Sequence, residues 1–162
     1  MAETTINFKK QINSILVVCT GNICRSPMGE GILREKLKNC NLSHIRIFSA
    51  GTHGWDHEPP TGLAVKVCAE EDIDISGILS SPISKSMIID ADLILVMEKK
   101  HKKNLIKIDP SCSGKTFLIT SFQKDSSLTE IDDPYMLPVQ YYRKAFCDIN
   151  RCLDGFIDSM LK

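Results

Sequence analysis

The feature that most constrains the fold of this chain is an alternation of short apolar runs with amphipathic stretches. Residues 14–19 form a continuous apolar run, which is typical of a strand that is buried on both faces. Similar strand-sized runs occupy residues 45–49, 92–97 and 115–119, and helical spacing of apolar residues follows every run. The pattern predicts an α/β fold, with a doubly wound sheet of four parallel strands flanked by helices.

Four helices are predicted, and the starts of two of them carry recognisable signals. Ser26 is expected to be the N-cap of the first helix and Pro27 its first residue. The second helix is expected to open at Pro59 and Pro60. The other two are predicted over about residues 99–106 and 138–160.

The length and the charge balance limit what the chain is expected to do. A length of 162 residues is enough for one core and too short for two ordinary domains. We therefore expect one domain over residues 1–162, with a polar N-terminal extension at residues 1–13. Twenty basic residues balance twenty acidic ones, so the composition indicates neither a nucleic-acid nor a lipid partner. The basic run at residues 98–103 is interpreted as a solvated helix face.

The sequence favours a cytoplasmic protein without membrane insertion. No apolar run approaches the roughly 20 residues that span a bilayer, and none is typical of a signal-peptide core. The seven cysteines are irregularly spaced, so we expect mostly reduced thiols. Cys40, Cys68, Cys147 and Cys152 are expected to be buried on helix faces. Cys112 is expected to be exposed in a turn.

The segment after the first run combines three features that suit an anion. Cys19 stands at the start of a short loop, Arg25 follows six residues later, and a helix begins just beyond. Gly21 and Asn22 tolerate positive φ, so the loop is able to curl until its backbone N–H groups point into one hollow. The helix N-terminus adds about half a positive charge. In a doubly wound sheet this is also the edge where ligands bind.

These parts predict a nucleophile and a clamp for a phosphoryl group. A cysteine at a helix N-terminus beside an arginine is expected to be a thiolate at neutral pH. Arg25 offers a planar fork of donors that matches two oxygens of a tetrahedral dianion. The spacing alone is unspecific, because Cys40 and Arg46 share it without a glycine between them. The strand, the Gly-Asn loop and the Ser-Pro helix start make the match at Cys19 specific.

Residues 17–27 resemble the signature of the low-molecular-weight protein tyrosine phosphatases. Residues 49–52, 92–98 and 133–135 are similar to the same family in order and distance, so the likeness covers nearly the whole chain. The continuation at residues 99–101 resembles the bacterial branch that is associated with exopolysaccharide tyrosine kinases. The resemblance implies hydrolysis of protein phosphotyrosine through a cysteinyl-phosphate, without a cofactor or a metal.

The resemblance also implies the catalytic residues. Cys19 is the expected nucleophile and Arg25 the expected phosphate clamp. Expulsion of a phenolate is helped by a proton donor, because the pKa of a phenol is about 10. In the family this general acid is the residue before a proline, which is Asp133 here. The adjacent Asp132 is a second carboxylate, and a like charge beside Asp133 would raise the pKa of one of the pair.

Other residues are implied to hold the loop and the substrate. The expected substrate-binding residues of the loop are Thr20, Gly21, Asn22, Ile23, Cys24 and Ser26. Ser49 is expected to help Asn22 hold the loop, and Ser26 to donate a hydrogen bond to the Cys19 sulfur. Cys24 is expected either to capture an oxidised Cys19 as a disulfide or to be a small residue that fits the loop.

The resemblance implies a substrate and partners as well. Trp55 and Tyr135 are expected to form aromatic walls for a phenyl ring, although Trp55 taken alone is equally a core residue or a surface anchor. The implied substrate is a tyrosine-phosphorylated protein, and a bacterial tyrosine kinase is an implied partner. Phosphate and other oxyanions are expected inhibitors.

Two departures from the family pattern have no explanation in the sequence. Residues 76–83 lack a histidine that braces the phosphate loop in many members. Gly29 and Gly31 stand in the first predicted helix, where each glycine costs about 1 kcal/mol relative to alanine.

One alternative function belongs to the same fold. Residues 80–82 resemble the protein arginine phosphatases. Ile23 stands where that branch has threonine, and Tyr135 stands where it has phenylalanine. Both positions favour phosphotyrosine.

Two further alternatives depend on cysteines. Thiol-dependent arsenate reductase needs two more cysteines near the third strand, and none lies between Cys68 and Cys112. A redox or zinc module built on Cys19 and Cys24 would leave a tetrahedral zinc site half empty.

Overall fold

The computed structural model describes Ile6, residues 10–125 and residues 127–162. Within this part of the chain, four parallel strands form one sheet. The strands are β1 (Ser14–Cys19), β2 (Arg46–Gly51), β3 (Leu93–Val96) and β4 (Thr116–Leu118). Their order in the sheet is β2-β1-β3-β4. The predicted class, an α/β fold with four parallel strands, is confirmed. Most of the expected N-terminal extension lies outside the described residues.

Helices flank this sheet on both faces. The α-helices are α1 (Arg25–Asn39), α2 (Gly62–Ala69), α3 (Lys85–Asp90), α4 (Lys99–Ile108) and α5 (Val139–Met160). Between α4 and α5 lie two short 3₁₀ helices, at Pro110–Lys115 and Ile119–Phe122. The α3 helix and the 3₁₀ helices were not predicted, because segments of six residues or fewer are too short to show a helical period. Within the part of the chain that is described, no helix is long and apolar enough to cross a bilayer.

The β1 strand forms the centre of the fold because both of its faces are buried. Ile15 and Val17 pack into the larger core, together with buried residues of α1, α2 and α5. Leu16 and Val18 pack into a second core on the opposite face, with buried residues of α3 and α4. A strand with a core on each side needs apolar residues at every position, which explains the continuous apolar run.

The predicted start of α1 is wrong by two residues, and the predicted cap is wrong as well. The helix begins at Arg25, and its N-cap residue Cys24 makes no side-chain hydrogen bond that caps the helix. Ser26 does not cap the helix, because its hydroxyl lies between the Cys19 sulfur at 3.0 Å and the Asn22 side-chain amide at 2.7 Å. Ser26 is a good residue type for a helix cap, but here its hydroxyl stabilises the loop.

The other predicted boundaries shift by a few residues. β2 extends to Gly51, whose carbonyl and N–H group also bond to residues of the 76–83 segment. The second helix begins at Gly62 rather than at Pro59 and Pro60. The residues before Gly62 are held in an irregular segment by hydrogen bonds to the loop after β1.

Two of the expectations about cysteines are wrong. Cys112 is fully buried in the second core, because the 3₁₀ turn that carries it folds back against the sheet. Cys147 is exposed, because it lies one residue, or about 100° of helix rotation, beyond the buried Phe146 of α5. Cys68 and Cys152 are buried as predicted, and Cys40 is half-buried. All seven cysteines are unpaired.

Close packing explains the two glycines of α1. A Cβ atom at Gly29 would lie 3.1 Å from Cγ1 of Val17 on the central strand. A Cβ atom at Gly31 would lie 2.5 Å from Cγ2 of Ile75 and 2.9 Å from Cγ2 of Ile73. The helix therefore approaches its neighbours more closely than alanine would allow, which outweighs the low helix propensity of glycine.

We expect Gly31→Ala to lower the free energy of unfolding by up to about 2 kcal/mol. Overpacking of a core costs about 1–3 kcal/mol, which exceeds the gain of about 1 kcal/mol in helix propensity. Urea denaturation measures the difference. Gly62→Ala is the matched control, because a Cβ atom at that helix start would meet nothing within 4 Å. A Gly31→Ala protein as stable as the wild type would contradict the packing argument.

Candidate active site

The loop between β1 and α1 is held in place by its carbonyl groups. Four of them accept hydrogen bonds from backbone N–H groups in the segment after β2. The pairs are Cys19 with Thr52 (2.9 Å), Thr20 with His53 (2.9 Å), Gly21 with Trp55 (3.4 Å) and Ile23 with Thr61 (2.9 Å). In a trans peptide the N–H group points away from the carbonyl, so the N–H groups of these peptides face into the loop. Inward N–H groups of this kind suit an anion.

The sharp bend of the loop lies at Asn22, which has a φ of 57°. Its side-chain amide donates to the hydroxyl groups of Ser26 at 2.7 Å and Ser49 at 3.0 Å. Its amide oxygen accepts from the N–H group of Ser81 at 2.9 Å. These bonds offset the cost of a left-handed backbone, which is about 1–3 kcal/mol. Gly21, which also tolerates a positive φ, does not adopt one.

The Cys19 sulfur is buried at the base of the loop and receives two hydrogen bonds. The Ser26 hydroxyl lies 3.0 Å from it, and the backbone N–H group of Asn22 lies 3.3 Å from it. Because the Asn22 side chain donates to the Ser26 oxygen, the Ser26 hydroxyl hydrogen is left for the sulfur. Both donors are placed to hydrogen-bond a thiolate.

Arg25 is buried, and its guanidinium is only partly used by the protein. Nη1 donates to Oε1 of Glu98 at 2.5 Å and to the carbonyl of Ile131 at 2.8 Å. Nη2 lies 3.3 Å from Oδ2 of Asp133 and 3.4 Å from the Thr20 hydroxyl. Nε has no partner among the described residues, which is rare for a buried donor. Nε is therefore left for one oxygen of a tetrahedral anion, and Nη2 would offer a second N–H group if the anion took the place of the Asp133 carboxylate.

Two adjacent carboxylates of the loop before α5 point in different directions. Asp133 lines the hollow of the loop, and one of its oxygens accepts from the N–H group of Tyr135 at 3.1 Å. The Asp132 side chain is 88 % exposed and lies 3.9 Å from Lys144, whereas that of Asp133 is 44 % exposed. Of these two acids, only Asp133 faces the position beside Arg25.

Glu98 and His101 belong to the site, so the interpretation of residues 98–103 as a solvated face is wrong for both. The Glu98 carboxylate pairs with Arg25; partial burial opposes its charge, but the Arg25 guanidinium lowers the pKa of Glu98. His101 is fully buried, and its Nε2 lies 2.8 Å from the Thr20 hydroxyl. Burial and then the Arg25 charge lower the pKa of His101 to about 4. Glu98 and His101 lie three residues apart at a helix start, as in a capping box. This spacing was the signal in the sequence that could have identified them.

The loop encloses a hollow of about 80 Å³. The hollow is lined by Cys19, Thr20, Gly21, Ile23, Cys24, Arg25, Asp133 and Tyr135. Tyr135 is 46 % exposed at the hollow, and Trp55 is 54 % exposed with its ring close to Gly21. The side chains of Asn22 and Ser26, which were expected to bind substrate, lie behind the loop and support it.

The Cys24 side chain is buried and lines the same hollow as Cys19. Its sulfur lies 3.5 Å from the hydroxyl groups of both Thr61 and Tyr142. Burial raises the pKa of Cys24, and these hydrogen bonds only partly oppose the increase. Cys24 is therefore a protonated thiol at neutral pH.

Residues 76–83, which lack the expected histidine, brace the loop with main-chain and serine groups. The Ser81 N–H group holds Asn22, and the Ser81 carbonyl accepts from Gly51 at 3.0 Å. The Ser80 hydroxyl donates to the carbonyl of Trp55 at 2.6 Å and accepts from the N–H group of Glu58 at 2.9 Å. The departure from the family pattern therefore still leaves the loop supported.

Comparison with known proteins identifies the family of the chain. The family model described as low molecular weight phosphotyrosine protein phosphatase matches residues 14–162. The low molecular weight protein-tyrosine-phosphatase Etp of Escherichia coli K12 is 39 % identical over 125 residues, which are 77 % of this chain and 79 % of Etp. The Erwinia amylovora tyrosine phosphatase AmsI has a similar structure, with a TM-score of 0.83, 33 % identity, and coverage of 91 % of this chain and 93 % of AmsI. The YwlE arginine phosphatase of Geobacillus stearothermophilus is also similar, with a TM-score of 0.81, 30 % identity, and coverage of 91 % and 92 %. The chain belongs to the low molecular weight protein tyrosine phosphatase family.

Proposed function

We propose that this protein hydrolyses protein phosphotyrosine, with Cys19 as nucleophile, Arg25 as phosphate clamp and Asp133 as general acid and base. The observation that supports this most strongly is the Nε of the Arg25 guanidinium, which is buried and unpaired among the described residues. Arg25 lines the same small hollow as Cys19 and Asp133. This arrangement suits a phosphoryl dianion between a thiolate and a carboxyl group.

In the first step the Cys19 thiolate attacks phosphorus. A sulfur–phosphorus bond forms, and the bond between phosphorus and the tyrosyl oxygen breaks. Asp133, protonated at this stage, donates its proton to the departing oxygen, which leaves as a neutral phenol. The Arg25 fork and the inward N–H groups of the loop stabilise the charge on the other phosphoryl oxygens. Because Arg25 and the loop N–H groups stabilise this charge, we expect the reaction to need no metal ion.

In the second step water attacks the phosphocysteine. Asp133, now a carboxylate, accepts a proton from the water, and the sulfur–phosphorus bond breaks with its electron pair returning to sulfur. The Ser26 hydroxyl, 3.0 Å from the sulfur, donates a hydrogen bond to the departing thiolate. The product is inorganic phosphate. We expect phosphate and other oxyanions to bind in the same hollow and therefore to inhibit hydrolysis.

The walls of the hollow support phosphotyrosine over phosphoarginine. Ile23 and Tyr135 line the hollow, and Trp55 stands beside the loop with about half of its surface exposed. Apolar and aromatic surfaces at this position favour a flat phenyl ring. Phosphoarginine remains the second candidate, because an arginine phosphatase is among the structures similar to this chain.

The alternatives that depend on cysteines have less support. Among the described residues, no group of three His, Cys, Asp or Glu side chains could hold a metal ion. The Cys24 thiol is instead engaged by Thr61 and Tyr142. A zinc module would need both Cys19 and Cys24 as thiolates with two more ligands.

We further infer the partners and the location from the chemistry of the chain. A tyrosine-phosphorylated protein is the substrate. The likeness of residues 99–101 to the bacterial branch associated with tyrosine kinases makes such a kinase a candidate partner. Seven unpaired thiols support a cytoplasmic location, since disulfides are rare in that compartment.

Cys24 adds a redox function to the proposal. A peroxide would oxidise the Cys19 thiolate to a sulfenic acid, the Cys24 thiolate would attack its sulfur to form a disulfide and release hydroxide, and a dithiol would reduce the disulfide again. The two residues line the same hollow, which supports the pairing. The raised pKa of Cys24 makes its thiolate scarce, so capture is expected to be faster at higher pH.

We expect Cys19→Ser to abolish hydrolysis of a phosphotyrosine peptide, because a serine hydroxyl is not ionised at neutral pH. Arg25→Lys should lose almost as much, since lysine lacks the planar fork. Cys147→Ser is the matched control, because that cysteine is exposed on α5, and it should retain wild-type activity. Rates on phosphotyrosine, phosphoserine and phosphoarginine peptides test the substrate. A fully active Cys19→Ser enzyme excludes the mechanism, and faster hydrolysis of phosphoarginine selects the second candidate.

Asp133→Asn should slow phosphotyrosine hydrolysis by a factor of about 10²–10⁴, because the phenol then departs without a proton. A substrate with an acidic phenol, such as p-nitrophenyl phosphate, should be affected much less. Asp132→Asn is the control, since its side chain points to solvent, and it should lose little activity on either substrate. Equal impairment of the two variants would show that the acid is wrongly assigned.

Peroxide followed by dithiothreitol tests the redox function. The wild type should regain most of its activity, whereas Cys24→Ser should remain inactivated, because its Cys19 sulfenic acid is oxidised further. Activity is measured before oxidation, after oxidation and after reduction, with Cys147→Ser as the cysteine control. If Cys24→Ser recovers as completely as the wild type, Cys24 is a packing residue.

A further inference from the structure

The Thr20 hydroxyl has a position that the proposed mechanism does not explain. Thr20 lines the hollow beside Cys19 and Arg25. Its Oγ1 lies 2.8 Å from Nε2 of His101 and 3.4 Å from Nη2 of Arg25. A loop residue is thus connected to a fully buried histidine of α4, 81 residues away in the sequence.

The hydrogen bonds of His101 determine which of its nitrogens carries the proton. The backbone N–H group of Glu98 donates to Nδ1 of His101 at 3.0 Å, so Nδ1 is an acceptor without a hydrogen. The proton of the neutral ring is therefore on Nε2, which faces Thr20. Since the pKa of His101 is lowered to about 4, the ring keeps this form at neutral pH.

The direction of the Thr20 hydroxyl hydrogen follows from this assignment. A threonine hydroxyl accepts two hydrogen bonds and donates one. Nε2–H of His101 and Nη2–H of Arg25 occupy the two acceptor positions of Oγ1. In the described part of the chain, no acceptor lies within hydrogen-bond distance of Thr20 Oγ1, so its own hydrogen is available to the hollow.

We propose that His101 is a positioning residue that directs the Thr20 hydroxyl as a hydrogen-bond donor to a phosphoryl oxygen bound between Cys19 and Arg25. This inference rests on the proposed phosphatase function. It adds a side-chain donor to the N–H groups of the loop, and it gives the start of α4 a part in catalysis. Without His101, the hydroxyl would be free to rotate and to turn its lone pairs toward the anion.

A fixed donor lowers the barrier more than a mobile one, because it needs no reorganisation when charge develops. Loss of one such donor typically costs on the order of 10²-fold in kcat. The effect should appear in kcat rather than in KM if the bond is strongest in the transition state. It should also appear in the inhibition constant of orthovanadate, which imitates a five-coordinate phosphoryl group.

The test is a double-mutant cycle on p-nitrophenyl phosphate, with Thr20→Val, His101→Leu and the double variant. Each single change should lower kcat by roughly 10²-fold. The double variant should be no slower than the slower single variant, because both changes remove the same donor. Thr20→Ser and His101→Gln should recover most of the rate, since serine keeps the hydroxyl and glutamine keeps an N–H donor. His44→Leu is the control at an exposed histidine.

Three outcomes would overturn the inference. They are an unchanged kcat in Thr20→Val, effects of the two single changes that multiply in the double variant, and vanadate inhibition that no variant alters. Thermal melting shows whether His101→Leu is folded, and if it is not, Thr20→Val and Thr20→Ser decide alone. The proposed function is tested separately by Cys19→Ser. If the wild type is active and Thr20→Val has the same kcat, only this inference is rejected.

Discussion

The buried positive charge of Arg25 is the constraint on which the site depends. Removing a guanidinium from water costs several kcal/mol unless it is paired and hydrogen-bonded. Glu98 supplies the paired charge, and the Ile131 carbonyl takes a second N–H group of the same nitrogen. Both partners bind Nη1, so they fix the plane of the guanidinium and leave its other edge to the substrate. Asp133 approaches that edge, which brings the proposed proton donor beside the clamp.

The strand order explains why residues so distant in the sequence meet at this charge. β1 lies between β2 and β3, with Cys19 beside Gly51 and Val18 beside Val96. The carboxyl ends of all three strands therefore lie at one edge of the sheet. The segment after β2 holds the carbonyls of the loop, and the residue that follows Met97 provides the counter-ion of the clamp.

The fold and the loop were predictable because their signals are local. A strand buried on both faces has a continuous apolar run, and the bend at Asn22 uses a residue type that tolerates positive φ. Tertiary contacts were not visible in this way. Gly31 is explained only by the neighbours that pack against it, and Glu98 and His101 looked like part of a charged helix face. Helical periodicity identifies an apolar stripe, but it does not show where a polar side chain beside that stripe finds its partner.

The buried, neutral His101 also has a consequence for the behaviour of the whole fold in acid. The pKa of His101 is about 4 in the native protein, against 6.5 for an ordinary histidine. Below pH 6.5 the unfolded chain binds a proton at this residue that the native chain does not bind, so the free energy of unfolding falls as the pH falls from about 6.5 to about 4. The difference amounts to roughly 3 kcal/mol, a large part of the stability of a small domain. The imidazole that organises the phosphate loop thus also lowers the stability of the whole protein in acid.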